Sequence, residues 1–149
     1  MILEKPQSFE LKGNKGYIKL TIHEIFSESQ NWNGGFSLRG ALYIKYNGLT
    51  FCENNFYSST IIIENFHDNL KQIYNTLCGE ASYIPEYDDN LKINIKMIGQ
   101  GHAEVEIDYS EYSENQLNLS FKFKTDQTFL QESLKNLSDM LKCFNLLMK

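Results

Sequence analysis

Phe36 to Phe51 reads FSLRGALYIKYNGLTF. Phe36, Leu38, Leu42, Ile44 and Tyr46 recur at every second position, the period of a strand with one buried face. Asn47-Gly48 follows, the pair preferred in a type I′ hairpin turn because both residues tolerate positive φ. Closure over two residues sets Tyr46 against Leu49 and Ile44 against Phe51, so the apolar side chains of both strands share one face. This stretch predicts an antiparallel hairpin with one face for a core and one for water.

The same reading extends in both directions. Upstream, Phe9 and Leu11 alternate, as do Ile18, Leu20 and Ile22, around Gly13-Asn14-Lys15-Gly16. A two-residue Asn-Lys loop pairs Leu11 with Ile18 and Phe9 with Leu20. Downstream, Leu91, Ile93, Ile95 and Met97 face Ala103, Val105, Ile107 and Tyr109 across Gly99-Gln100-Gly101. A last strand carries Leu117, Leu119, Phe121 and Phe123. Two segments change period. Phe66, Leu70, Ile73, Tyr74 and Leu77 fall at helical spacing, which predicts a helix over 62–78 with Ser59 or Thr60 as cap and Gly79 at its C′ position. Asp126 caps a second helix running through Leu130, Leu134, Leu137, Leu141 and Phe144 to about Leu147. The expected class is α+β, in the order β-β-β-β-α-β-β-β-α: mainly an antiparallel sheet of hairpins, with two helices packed on one face.

The chain has 149 residues, the size of one domain over 1–149, and can bury a core without metal or disulfide support. Its net charge is −5, with Arg39 the one arginine among 14 basic residues. Nucleic-acid readers carry a basic face rich in arginine, so no nucleic-acid partner is expected. No membrane role is expected either, since no apolar run approaches the ~18 residues of a span and the N-terminus lacks the apolar core of a signal peptide. Three cysteines with no short spacing suit a reducing, cytoplasmic setting. An acidic protein is suited to a basic protein partner.

Several groups of residues could carry chemistry. Glu104, Glu106 and Asp108 line the polar face of one strand, but the hairpin register sets Lys96 opposite Glu104 and Lys92 opposite Asp108, and the last strand brings Lys122 near Glu104. These are ordinary cross-strand ion pairs. His23, His67 and His102 share no ligand spacing, so no metal and no cofactor is expected. Cys52, Cys78 and Cys143 lack an activating neighbour, and no nucleophile or phosphate-loop motif is present, so no enzyme is expected. The remaining acids of interest lie in two loops, Glu86, Asp88 and Asp89 with Tyr87 among them, and Glu111 and Glu114 with Tyr112 among them. Both loops flank the open end of the third hairpin, and acid beside tyrosine can anchor a basic partner. Trp32, in the Ser, Asn and Gly-rich loop 27–35, is either an exposed anchor of the same kind or a ring folded over the sheet edge.

The chain resembles the WapI-type immunity proteins of bacteria. The likeness rests on Phe9-Glu10-Leu11 leading into Gly16, on Trp32 with Gly35, Leu38 and Gly40, on Gly79, and on Phe121-Lys122-Phe123-Lys124-Thr125-Asp126-Gln127 followed by Leu130 and Leu137. The resemblance implies a cytoplasmic, non-catalytic protein. It would bind and neutralise one toxin domain, commonly a nuclease, of the polymorphic or contact-dependent growth inhibition kind. The family carries no contact motif that transfers; the expected contacts, chosen on their own chemistry, are Glu86, Tyr87, Asp88, Asp89, Glu111, Tyr112, Glu114 and Trp32. Two other readings use the same fold. One is a small-molecule-binding or enzymatic domain with a pocket on the polar sheet face near Tyr43, Cys52 and His23. The other is a structural subunit of an oligomer joined through an edge strand.

Overall fold

A computed structural model describes residues 1–85, 90–111 and 117–148. Among the described residues, eight strands and two helices follow one another as β1 (Ile2–Lys12), β2 (Gly16–Phe26), β3 (Ser37–Tyr46), β4 (Leu49–Ser59), α1 (Thr60–Thr76), β5 (Glu80–Tyr83), β6 (Leu91–Gly99), β7 (His102–Ser110), β8 (Asn118–Asp126) and α2 (Gln127–Leu147). The α+β class is as expected, and the strands form two antiparallel four-stranded sheets. Sheet A has the order β1-β2-β3-β4 and sheet B the order β5-β6-β7-β8.

All three hairpins keep the register set by their turns. Phe9 pairs with Leu20 and Leu11 with Ile18. Tyr46 pairs with Leu49, and Ile44 with Phe51. Met97 pairs with Ala103, and Ile93 with Ile107. Asn47 and Gly48 both have positive φ, as a type I′ turn requires. The register of sheet A shifts at three places: between Ile2 and Gln7 of β1, between Ile22 and Glu24 of β2, and opposite Gly40 to Leu42 of β3, where β4 runs from Glu53 to Phe56 and carries the extra residue.

Helix α1 starts and stops two residues earlier than its periodicity predicts. Ser59 Oγ accepts from Ile62 N (3.3 Å), which makes it the cap. The left-handed residue at the end is Leu77, not a glycine, and its N–H bonds the Ile73 carbonyl. Gly79 was the expected terminator; instead its carbonyl accepts from Met97 N (3.0 Å) and leads into β5. That four-residue strand adds a fourth member to the sheet formed by the third hairpin and the last strand. Helix α2 begins as expected, with Asp126 accepting from Thr128 N and Phe129 N.

The buried apolar residues of both sheets and both helices form one continuous cluster. Phe66 of α1 sits between Phe9 of sheet A and Tyr83 of sheet B, 5.9 Å from each ring centroid. Tyr46 stacks on Phe121 at 4.6 Å, and Phe51 meets Tyr109 at 5.0 Å. At the β1–β2 turn, Gly13 and Gly16 have no side chain because Phe123 of β8 fills that space. Beside it, Asn14 N donates to the Lys124 carbonyl (2.9 Å), Lys124 N donates to Asn14 Oδ1 (3.0 Å), and Thr125 Oγ1 donates to the Lys12 carbonyl (2.6 Å). The buried stripe of α2 includes Ser133, whose hydroxyl donates to the Glu10 carbonyl at 2.5 Å and so ties α2 to β1.

Candidate functional site

The open end of sheet B is built by alternation. Tyr83, Leu91, Tyr109 and Leu119 stand on the inward face where β5, β6, β7 and β8 end or begin. The loops at this end are drawn together at their stems: Ser110 N donates to the Asn90 carbonyl (2.8 Å), and Glu111 N donates to the Leu117 carbonyl (2.9 Å). Strand β4 of sheet A runs past this end. Phe51 touches Tyr109, and seven residues on Ser58 shares a 2.7 Å hydrogen bond with the Tyr83 hydroxyl.

Glu53 lies between those two contacts. Burial raises the Tyr109 phenol first, and the negative charges of Glu53 and Glu111 raise it further, to about 12. Glu53 of β4 and Glu111, one residue past β7, thus both act on the charge of one phenol. Glu111, of the expected acidic set, is half-buried here. Glu86, Tyr87, Asp88, Asp89, Tyr112 and Glu114 lie outside the described residues. Glu53 was not anticipated. Its signal in the sequence is a charged residue at the inward phase of β4, two positions after Phe51, where an apolar residue would continue the core.

Trp32 stands apart from this cluster, in the β2–β3 loop of sheet A. The loop is tied by bonds from Asn31 N to the Gly35 carbonyl (2.6 Å) and from Ser37 Oγ to Asn31 Oδ1 (3.2 Å). Thr60 N and the Phe36 carbonyl join it to the start of α1. Trp32 itself is 81% exposed. The ring therefore does not fold over the sheet edge, and of its two expected placements the exposed one is found.

The outer face of sheet B is a lattice of opposite charges. Lys122 lies 3.7 Å from Glu104 and 3.9 Å from Glu106, and Lys96 lies 4.0 Å from Glu80. Ser120 Oγ donates to Asp108 (2.6 Å). The registers Lys96 to Glu104 and Lys92 to Asp108 hold.

The outer face of sheet A differs. Its centre is an open hollow of about 380 Å³ lined by Tyr17, Lys19, Thr21, Ala41, Tyr43, Cys52 and Asn54. Tyr43 and Cys52 were expected near a pocket on the polar face; His23 does not line it. The Tyr17 hydroxyl donates to Glu10 Oε1 (2.9 Å). Lys12 and Lys19 also approach this carboxylate, at 3.2 and 3.8 Å. Burial alone would raise the Glu10 carboxyl, but the Tyr17 bond and the two lysines outweigh it and hold the group below its ordinary value. Burial, then the bond and charge of Glu10, then Tyr43, push the Tyr17 phenol up.

Among the described residues no three His, Cys, Asp or Glu side chains are grouped to hold a metal ion. No described helix is long and apolar enough to cross a membrane.

The profile of the immunity protein WapI-like family matches residues 9–145, from the inward Phe9 of β1 to the last turns of α2. A search of curated proteins finds no match. Nearly the whole chain is covered, including both sheets and both helices, and the chain therefore belongs to the immunity protein WapI-like family.

Proposed function

We propose that this protein binds and neutralises a cognate bacterial toxin domain by occluding its active site, without catalysis of its own. Membership of the immunity protein family is the observation that carries this reading. The whole chain acts as one domain in the cytoplasm, with neither nucleic acid nor membrane as partner. The toxin belongs to a polymorphic or contact-dependent growth inhibition system. A nuclease suits the charge best: nucleic-acid enzymes present basic surfaces, and a protector of net charge −5 is steered towards them.

The contact surface in this reading is the acidic and tyrosine-bearing set Glu86, Tyr87, Asp88, Asp89, Glu111, Tyr112 and Glu114, with Trp32 as a separate aromatic anchor. The joined stems at Asn90 and Ser110 support a shared surface for the two loops, and Glu53 adds a carboxylate from sheet A. The hollow on sheet A is a weaker basis for small-molecule work, because ligand pockets enclose most of a ligand's surface and this one is open.

The test is direct titration with the purified cognate toxin domain. A complex tighter than about 1 μM is expected, and its absence overturns the reading. Changing Asp88, Asp89, Glu111 and Glu114 to Asn or Gln should slow association and reduce its salt dependence. An unchanged on-rate would take these loops out of the interface.

A further inference from the structure

We propose that the outer face of sheet A is a second docking surface, which receives an acidic segment of a partner protein. The inference stands apart from the toxin reading. Cys52 and Glu53 are neighbours on β4, yet Cys52 pairs with Tyr43 and lines the outer hollow while Glu53 pairs with the buried Leu42 on the opposite phase, so this face points away from Glu53.

Charge sets the face apart first. Lys12 and Lys19 of the first hairpin and Arg39 and Lys45 of β3 stand against Glu10 and Glu24. Both acids are already engaged, Glu10 by Tyr17 and the two lysines, and Glu24 by Arg39 Nε at 2.8 Å. Lys45 is exposed and forms no ion pair among the described residues. The face thus carries a positive surplus in a chain of net charge −5. On sheet B's outer face, by contrast, Lys92, Lys96, Lys122 and Lys124 are matched in number by Glu80, Glu104, Glu106 and Asp108.

Composition is the second difference. Tyr17 and Tyr43 meet edge to face at 5.8 Å beside the hollow, whose lining also includes the small Thr21 and Ala41. Tyrosine and arginine are the residues that concentrate binding energy at protein interfaces, and no helix covers them here. A single-stranded nucleic acid would need aromatic rings laid flat for bases to stack on. These rings pack edge against each other, the Tyr17 hydroxyl is held by Glu10, and the single arginine is committed to Glu24. Protein carboxylates are the anions that fit.

The experiment uses the full chain labelled with ¹⁵N and three probes: a hexaglutamate peptide, a hexalysine peptide and a uridine hexanucleotide. Hexaglutamate should shift the amides of Lys19, Thr21, Ala41, Tyr43 and Cys52 saturably, and hexalysine should leave them in place. Lys45→Glu, at an exposed position, should weaken the hexaglutamate response several-fold, and Lys19→Glu with Lys45→Glu by roughly tenfold or more. The idea is overturned if hexaglutamate leaves these amides unmoved, or if it moves the lysine-bearing face of sheet B equally. It is also overturned if the hexanucleotide shifts the same amides at lower concentration.

Discussion

Phe123 of β8 occupies the space that Gly16 of β2 leaves by having no side chain. The close approach joins the last strand of sheet B to the first turn of sheet A, and Gly13 meets the same ring from the other side of the turn. A methyl group at Gly16 would have to displace a buried aromatic ring that stacks on Phe121, at 6.3 Å between centroids. Gly16→Ala should therefore destabilise the protein by about 1–3 kcal/mol, the usual cost of overpacking. Urea unfolding measures it. Adding Phe123→Leu should recover part of the loss, because the two changes share one cavity. Wild-type stability for Gly16→Ala would mean the ring can move aside freely.

Stability should respond to pH at both ends through Tyr17 and Glu10. The Glu10 carboxyl is held below its ordinary 4.5, so its contribution is present above that pH and is lost as pH falls through the lower folded value. The Tyr17 phenol is raised above its ordinary 10.0, so its contribution is present below pH 10 and is lost as pH rises beyond it. Tyr17→Phe should flatten the alkaline fall and soften the acid one. Thermal unfolding across pH 3 to 11, compared between the two proteins, checks both limbs.

Tyr109 should ionise late, near 12, because burial and the charges of Glu53 and Glu111 all disfavour its phenolate. In a spectrophotometric titration of the folded protein, Tyr109→Phe should remove one late-titrating group of the nine tyrosines. Glu53→Gln together with Glu111→Gln should move that group down towards 10, and an unmoved midpoint would separate the two acids from Tyr109.

Trp32 is the single tryptophan, so its fluorescence reports on its loop alone. With 81% of its surface in water, the ring should emit near the wavelength of free indole and be quenched readily by iodide. Trp32→Ala should change folding stability by less than about 0.5 kcal/mol, as exposed substitutions do. If the ring is a toxin anchor, the same change should weaken the complex by about 2 kcal/mol or more, and emission should shift to the blue on binding.

The hairpins were legible because turn chemistry and strand period agree at each of them: Asn47-Gly48 fixes a register, and the apolar phase of β3 and β4 confirms it. Strand β5 was not, since four residues give only Ala81 and Tyr83 as inward positions, too few for a period. The division into two sheets was also hidden. Alternation reveals which face of a strand is buried but not what buries it. Of the two acidic segments only the flanking Asn90, Ser110, Glu111 and Leu117 lie among the described residues, and their shared end of sheet B followed from the hairpin register. Glu53 could not be placed with them, because its approach to Tyr109 depends on how β4 crosses to the other sheet. The exposed placement of Trp32 was open for the same kind of reason: an indole tends to be buried, but whether a neighbour lies within its reach depends on the tertiary course of its loop.

The bonds around the first turn have a consequence for when this molecule can take shape. Asn14 is bound to Lys124, Lys12 to Thr125 and Glu10 to Ser133, partners 110, 113 and 123 residues apart along the chain. The hairpins of sheet A can pair as they leave the ribosome, but their joint to sheet B waits for Lys124 and Thr125, and their tie to α2 for Ser133. Until those partners are made, the inward face of sheet A has nothing to close on, so its hairpins form well before the core they line.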